Sequence, residues 1–474
     1  VSASGEDVAA GSVDAVTEPA RGPGVFGREY LTLTLAVVAL ITVIAFEAMA
    51  VSTAMPEVAR ELDAVRSYGL AFSVMLTTQL LGIVLAGVWC DRSGALPSLL
   101  TGQALFALGC GICGAAADFP VFLAGRAVAG LGAGLTFVAG FVVIGRMYPE
   151  SLRPKVFSVL SAAWVLPSLL GPVLAGWITT TWSWRWVFWV VVAPVAGALA
   201  VLVVRRGEIR AADEGVEASS RDHSEHVRAA WLGLSIAVAA GAMQWGMHDL
   251  ELSWSVRTVV GLLGLVGIAV CAPLLLPGTF VMRRGLPSVM SGRFLLPCAF
   301  FGTVTYVPLM LTGERGLSLA QAGSLLAIGS IGWSIGSWVQ GRDRFVGRRD
   351  RLVVLGGATL AIGLAGVVLV TWAGWWPWFV ALPLAVAGLG MGLGTASLSV
   401  LALSLTAPAD HGSASSSLQL SDVLGSVIGI AATGAVFAAL HTRAGEDVPA
   451  FVAMWCGTAL VATLVVVAGR RIRT

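Results

Sequence analysis

The chain reads as a succession of apolar stretches separated by short polar turns. A stretch of roughly 18 or more apolar residues is long enough to cross a bilayer as one helix. Six such stretches lie near 31–55, 69–90, 96–117, 120–147, 155–180 and 186–204. A charged stretch from Arg205 to Arg228 follows, and eight more apolar stretches lie near 230–247, 256–280, 293–312, 319–340, 351–372, 376–405, 415–440 and 449–469. The pattern predicts an all-α membrane protein with fourteen spans in a six–two–six arrangement. Its expected parts are a polar tail over 1–29, a six-helix bundle over 30–204, a linker over 205–229, two additional transmembrane helices over 230–282 and a second six-helix bundle over 290–470. Two comparable halves suggest a transporter built from repeated bundles around a site near the bilayer midplane.

Composition sharpens this picture. The chain is 57% hydrophobic and only 12% charged, about half the charge of an ordinary soluble domain, so most of its surface must face lipid. With fourteen spans both ends fall on one side. That side carries 22 of the 29 Lys and Arg residues in its tails and loops, the other side six, and Arg126 lies within a span. The positive-inside rule therefore predicts cytoplasmic termini and a multi-pass protein of the cell inner (cytoplasmic) membrane. Residues 1–28 lack a short apolar core and read as a tail rather than a cleavable signal.

Several chemistries are not expected. Lys155 is the only lysine and is followed by Val156 with no glycine loop before it, so there is no recognisable phosphate-binding loop. The catalytic pattern H-E-x-x-H is absent, and no enzyme activity is expected. Cys110 and Cys113 have redox or metal spacing, but they lie inside an apolar helix with no second pair, which favours a structural role. His223, His226, His248, His411 and His441 show no metal-ligand spacing. Neither a metal, a cofactor nor a nucleic-acid partner is expected.

Charge inside the apolar stretches is the most informative feature. Glu47 is the only charged residue between Leu31 and Met55. A carboxylate at that depth costs about 2.5–3.5 kcal/mol on insertion scales, which implies a partner or a task. Taking Pro56 as the outer end, Glu47 lies nine residues inside it, or roughly 13 Å. Arg126 lies about six residues inside the outer end of the fourth span, or roughly 9 Å. Opposite charges at similar depth invite pairing. Asp422, about ten residues into the thirteenth span, is the other intramembrane acid, suited to a cationic substrate, to a second proton, or to a wet helix end.

Motifs extend the reading. The turn after the second span runs Gly87-Val88-Trp89-Cys90-Asp91-Arg92-Ser93-Gly94, and the equivalent turn in the second half carries Gly341 and Arg342. Both look like charged, glycine-bearing latches at an inner mouth. The fifth span contains Gly171-Pro172 and Gly176, which bend a helix and permit close packing. Gln79, Gln103 and Gln244 are polar groups within spans, and Trp164 and Trp333 are deep tryptophans. Each is a candidate either for a substrate cavity or for helix packing. The tryptophans at 182, 184, 186, 189, 372, 375, 376 and 378 sit at helix junctions, where interfacial anchoring is the expected role.

Together these motifs resemble the major facilitator superfamily, specifically its fourteen-helix drug:proton antiporter branch. Glu47 stands nine positions before Pro56 where that branch usually has aspartate. Gly87 to Gly94 resembles the inner-loop motif, although Ala95 and Leu96 replace basic residues. Arg126 with Gly130 resembles the fourth-helix motif, with Ala129 in place of glutamine. Gly171, Pro172 and Gly176 resemble the antiporter motif of the fifth helix, with Ala175 in place of glycine. Gly316-Leu317-Ser318, Ala322-Gly323 and Gly341-Arg342 resemble the ninth-to-tenth helix region.

The resemblance implies proton-coupled export of a small amphipathic molecule, such as a drug, an antibiotic or a secreted metabolite, by alternating access. Multidrug efflux and antibiotic resistance are the associated biology. Glu47 would carry the proton, Arg126 would set its affinity, and Asp422 would serve as a further coupling site. The proton gradient would be the energy source, with lipid, protons and substrate as the partners of a functional monomer. The alternatives are a proton-coupled symporter importing a nutrient, or a non-transporting membrane sensor or lipid-handling protein.

Overall fold

The computed structural model describes most of the chain between Phe26 and Ile472. Residues 1–25, 28–29, 150–151, 209–230, 343–344, 346, 407–410, 442–446 and 473–474, most of 232–277, and some side chains within helices fall outside the description. The labelled helices are α1 (Leu31–Glu61), α2 (Leu70–Ser93), α3 (Ala95–Ala115), α4 (Phe119–Met147), α5 (Arg153–Thr181) and α6 (Arg185–Val204). After the gap come α7 (Leu286–Val304), the short α8 (Val307–Gly313), α9 (Leu319–Gln340), α10 (Arg349–Trp372), α11 (Ala381–Ser404), α12 (His411–Leu440) and α13 (Val448–Arg471).

Eleven helical stretches among the described residues are long and apolar enough to cross a membrane. The fifth expected span is present as α5, although several of its side chains are outside the description. The two spans expected near 230–247 and 256–280 also lie largely outside it; Trp231, Leu234, Val238, Val259, Leu263 and Val266 are helical and exposed. One boundary differs materially from expectation. The span expected at 293–312 begins at Leu286 and breaks near Thr305 before continuing as α8. Pro287 at the start of α7 suits a first helical turn, where its missing N–H is no loss, so the helix starts where sequence pattern suggested a loop.

Local chemistry sets the turns. Gly94 adopts φ +81° between α2 and α3, a conformation that only glycine takes without strain. The Asp118 carboxylate accepts from the Val121 N–H at 2.8 Å and caps α4, with Pro120 in its first turn. Ser318 and Gln321 form a reciprocal capping box at the start of α9.

The helices pack as two groups, α1–α6 and α7–α13, and α5–α9 and α2–α12 are the main contacts across them. The start of α1 lies beside the end of α6 through the Arg205 to Thr32 hydrogen bond of 3.1 Å, and the Gly285 N–H before α7 donates to the Arg471 carbonyl at the end of α13 at 3.1 Å. These ends define a near face, and the opposite side is the far face.

The buried core is arranged differently at the two faces. Toward the far face one continuous cluster joins both groups, with Met55, Val58, Tyr68 and Phe72 from the first group and Tyr306, Val307, Leu325 and Phe437 from the second. Tyr306 sits between Tyr68 and Phe437, with ring centroids 5.1 and 5.3 Å away. The Arg60 guanidinium adds a 3.0 Å hydrogen bond to Thr312 across the same junction. Toward the near face the core divides into two clusters, one confined to each group. A small cluster of Leu80 from α2 with Leu420 and Leu424 from α12 bridges them. The molecule is thus sealed across its groups at the far face and divided toward the near face.

Exposed tryptophans ring the far ends of the helices, as interfacial anchoring requires: Trp182, Trp186 and Trp189 on one side and Trp372, Trp375 and Trp376 on the other. Trp184 departs from this expectation. It is 1% exposed, and its indole N–H donates to Glu61 at 2.6 Å, tying α6 to the far end of α1.

Candidate functional site

Glu47 and Arg126 meet, as their similar depth predicted. Glu47 has no exposed surface and Arg126 is 3% exposed. The Arg126 Nη1 donates to Glu47 Oε1, and Arg126 Nε donates to the Ala71 carbonyl at 2.9 Å. One guanidinium therefore binds α4 to α1 and to the first turn of α2. Glu47 Oε2 is buried without a hydrogen-bond partner. An oxygen in that condition is costly in a low-dielectric interior and is the natural point for a proton or a water to arrive. Three residues before Ala71 stands Tyr68, which packs on Tyr306 at the sealed far face. The ion pair is thus one short helical segment away from the contact that closes that face.

Asp422 is also paired, with the residue that opened the expected span 293–312 and that the structure places well inside its helix. Arg293 lies seven residues into α7, about 10 Å along the helix axis. Its Nε is 3.0 Å from Asp422 Oδ1 on α12. Arg293 Nη1 also donates to the Thr395 carbonyl at 3.1 Å and contacts Ser399 Oγ at 3.5 Å, both on α11. The side chains of Arg293 and Asp422 are 10% and 27% exposed. The clue available in sequence was the unmatched acid itself: an intramembrane Asp422 in the second half calls for a basic partner in the same half.

The fifth-helix motif falls at the junction of the two groups. A side chain at Gly176 would meet the Ala320 backbone at 2.6 Å, and one at Gly323 would meet the Pro172 carbonyl at 2.5 Å. Gly171 faces Met49 and Phe46 of α1. These residues therefore let α5 and α9 touch backbone to backbone in the far half of the molecule.

The inner-loop residues lie at the near face. Gly94 makes the turn, Gly87 has open space where a side chain would project, and Arg92 is exposed, while the Asp91 side chain lies outside the described residues. Gly341 ends α9, and the Arg342 guanidinium stacks over Trp338 at 3.8 Å, a cation–π contact that orients this loop. Asp343 and Arg344 fall outside the described residues.

The candidate cavity residues separate. Gln103 is fully buried and donates to Thr136 Oγ1 at 3.2 Å, which places it in the α3–α4 seam as a helix–helix contact rather than in a cavity. Trp333 is half-buried against Phe300 and Phe301 of α7, with centroids 5.5 and 6.2 Å away. Gln79 is half-buried on α2 beside Leu80. Gln244 and the Trp164 side chain lie outside the described residues. Among the described residues no three His, Cys, Asp or Glu side chains gather in a way that could hold a metal ion. The Cys113 thiol donates to the Phe122 carbonyl at 3.6 Å, and Cys110 is buried beside it in α3, so both take structural positions.

Comparison with known proteins agrees with this architecture. The profile of the Major Facilitator Superfamily matches residues 37–430. An uncharacterised transporter of that superfamily from Mycobacterium tuberculosis is 30% identical over 407 residues, covering 81% of this chain and 56% of the relative. The multidrug transporter protein MdtP of Bacillus subtilis is 24% identical over 321 residues, covering 65% of this chain and 58% of the relative. The chain thus spans little more than half the length of these relatives. A solved peptide transporter of the POT family has the same fold, with a TM-score of 0.70 over 95% of this chain and 96% of that one, at 16% identity. From the profile match, the relatives and the two packed helical groups, the chain belongs to the Major Facilitator Superfamily.

Proposed function

We propose that the protein is a proton-coupled antiporter that exports a small amphipathic molecule across the cytoplasmic membrane. In this reading the near face is cytoplasmic, fourteen spans cross the bilayer, the two central ones are an insertion between the bundles, and a monomer works without a cofactor on the proton gradient. The observation that carries it is the Glu47–Arg126 pair: a carboxylate with no exposed surface, one oxygen held by a guanidinium and the other without a partner. Efflux homologues support the direction, among them MdtP and the multidrug efflux pump SdrM of Staphylococcus aureus, 24% identical over 303 residues.

The mechanism follows from the two states of Glu47. As a carboxylate it holds Arg126, which holds the Ala71 carbonyl and so the start of α2 against the far-face seal. A proton on Glu47 removes the ion pair and leaves a buried guanidinium with only the Ala71 carbonyl. Such a charge is stable only if water or a new partner reaches it. Opening the far face admits water, so protonation favours the outward-open state, with Tyr68 and Tyr306 parted. The reverse rocking delivers the proton to the near face, and the apolar clusters confined to each bundle move as rigid bodies. Gly176 and Gly323 at the α5–α9 seam provide a smooth pivot.

The test is flux in proteoliposomes with an imposed pH gradient, using a lipophilic dye as cargo. Wild-type protein moves dye against its gradient while protons run the other way, and Glu47→Gln abolishes this while keeping a cooperative thermal unfolding transition in detergent, at a lower temperature because Arg126 has lost its carboxylate. Gradient-driven dye movement by Glu47→Gln at the wild-type rate refutes the assignment. Dye and protons moving in the same direction would instead establish a symporter.

A further inference from the structure

The far end of α6 carries a cation that proton-coupled export does not use. Arg185 is the first residue of that helix, and its side chain is 32% exposed. The guanidinium stacks over Trp184 at 4.3 Å. It donates to Glu61 Oε1 at the far end of α1 and to the Ala116 carbonyl just beyond α3, the latter at 3.1 Å. A guanidinium carries five N–H groups. These contacts therefore fix Arg185 in position and still leave it with donors and open surface.

A groove of about 530 Å³ begins at Arg185 and follows α6 to Ala196, a volume within the range of small-ligand sites. Trp186 and Trp189, 53% and 42% exposed, form its walls, and Val192, Ala193 and Ala196 continue it toward the middle of the helix. The Trp189 ring is bedded on α3: a side chain at Gly114 would meet its indole Nε1 at 2.6 Å. Ala116, which holds the guanidinium, stands two residues beyond Gly114. The cation and the tryptophan wall are thus set against the same end of α3. Among the described residues lining the groove, Arg185 is the only charged one.

Its dimensions point to the occupant. Arg185 to Ala196 is eleven residues, about 16 Å of helix, close to the depth of one leaflet of a roughly 30 Å hydrocarbon core. The exposed tryptophans put its charged end at the interface, where headgroups lie. A lone guanidinium above a leaflet-deep apolar groove is complementary to a phosphate above an acyl chain.

We propose that this groove binds one phospholipid of the far leaflet: its phosphate accepts from Arg185, and an acyl chain lies along Trp189, Val192 and Ala196. Glu61 offsets one charge at the mouth, so recognition rests on hydrogen bonds to the phosphate and needs no net negative headgroup. The lipid braces the point where α1, α3 and α6 meet. This site requires that α6 cross a bilayer and is independent of proton coupling and of the direction of transport.

Native mass spectrometry of the purified, delipidated protein tests this by titration with two probes. Dioleoylphosphatidylcholine and dioleoylglycerol carry the same chains, and only the first has a phosphate. The wild type takes up one phosphatidylcholine roughly tenfold or more tightly than diacylglycerol. Arg185→Gln binds the two alike. Ala193→Phe fills the groove while leaving Arg185 and Glu61 intact, and it weakens phosphatidylcholine by roughly tenfold. Ala193 is exposed, so this variant unfolds at the wild-type temperature without lipid, which separates lost binding from lost fold. The proposal is overturned if the wild type binds neither probe, if it binds both equally, or if either variant keeps the wild-type affinity for phosphatidylcholine. A dimer that Ala193→Phe dissociates, with lipid uptake unchanged, would give the groove to a second copy of the chain and equally overturn it.

Discussion

Among the described residues each half of the molecule holds one intramembrane ion pair, and the two differ in burial and alignment. In the first half Arg126 and Glu47 are hydrogen-bonded, 3% and 0% exposed, and lie beneath the continuous far-face core. In the second half Arg293 and Asp422 touch without hydrogen-bond alignment, 10% and 27% exposed, beside the divided near-face core. A sealed, aligned pair admits only something as small as a proton, and its rupture must disturb the helices around it. An open, loosely aligned pair is within reach of water, and its rupture disturbs the surrounding helices less. Burial and alignment, rather than residue type, separate the two pairs, since both are one arginine with one carboxylate.

The largest expected effect is on stability, and it distinguishes the pairs by the charge left behind. Arg126→Leu strands a carboxylate with no exposed surface, which costs about 3–5 kcal/mol for a broken buried pair. Arg293→Leu leaves Asp422 with its exposed edge and costs less, about 1–3 kcal/mol. Thermal unfolding in detergent measures both. Adding Glu47→Gln to Arg126→Leu recovers most of the loss, because a neutral pair no longer contains an isolated charge. Equal losses for the two arginine substitutions would erase the distinction between a sealed and an open pair.

Accessibility gives a smaller and more direct contrast. The thiol of Asp422→Cys reacts with a membrane-impermeant reagent supplied from the near face, whereas that of Glu47→Cys reacts at least several-fold more slowly under the same conditions. The native Cys456 is exposed on α13, so rates are compared in a Cys456→Ser background. If the Glu47→Cys variant is the faster to react from the near face, the sealed side has been assigned to the wrong half.

What sequence alone made legible follows the same contrast. The Glu47–Arg126 pair was readable because each charge stood alone in an unmistakably apolar stretch and both lay at similar depth. The depth of Arg293 was hidden because it stood at the first position of the expected span, after Arg283, Arg284, Pro287, Ser288 and Gly292, whose composition resembles a loop. The helix begins there nonetheless: Gly285 takes a positive φ of +84° before it, Pro287 suits its first turn, and Ser288 Oγ donates to the Met282 and Arg283 carbonyls at 3.0 and 2.7 Å. The helical spans, the tryptophan anchors and the glycines of α5 could be read from local pattern. The divided core, the α5–α9 seam and the role of Gln103 could not, because each depends on which faces of distant helices meet.

The smallest expected effect concerns how Arg293 is held. Its contact with Ser399 Oγ is 3.5 Å, at the limit of a hydrogen bond, while its bond to the Thr395 carbonyl is 3.1 Å and uses the same Nη1. Ser399 Oγ already donates to the Thr395 carbonyl at 3.1 Å, so removing it also frees acceptor capacity there. Ser399→Ala should therefore change stability by no more than about 0.5 kcal/mol, measured by thermal unfolding in detergent. So small a change matters to the comparison, because it would locate the anchoring of Arg293 in backbone that substitution cannot remove. A backbone anchor keeps the guanidinium fixed as Asp422 comes and goes. A loss in Ser399→Ala as large as that in Arg293→Leu would mean that the serine, and not the backbone, holds the arginine.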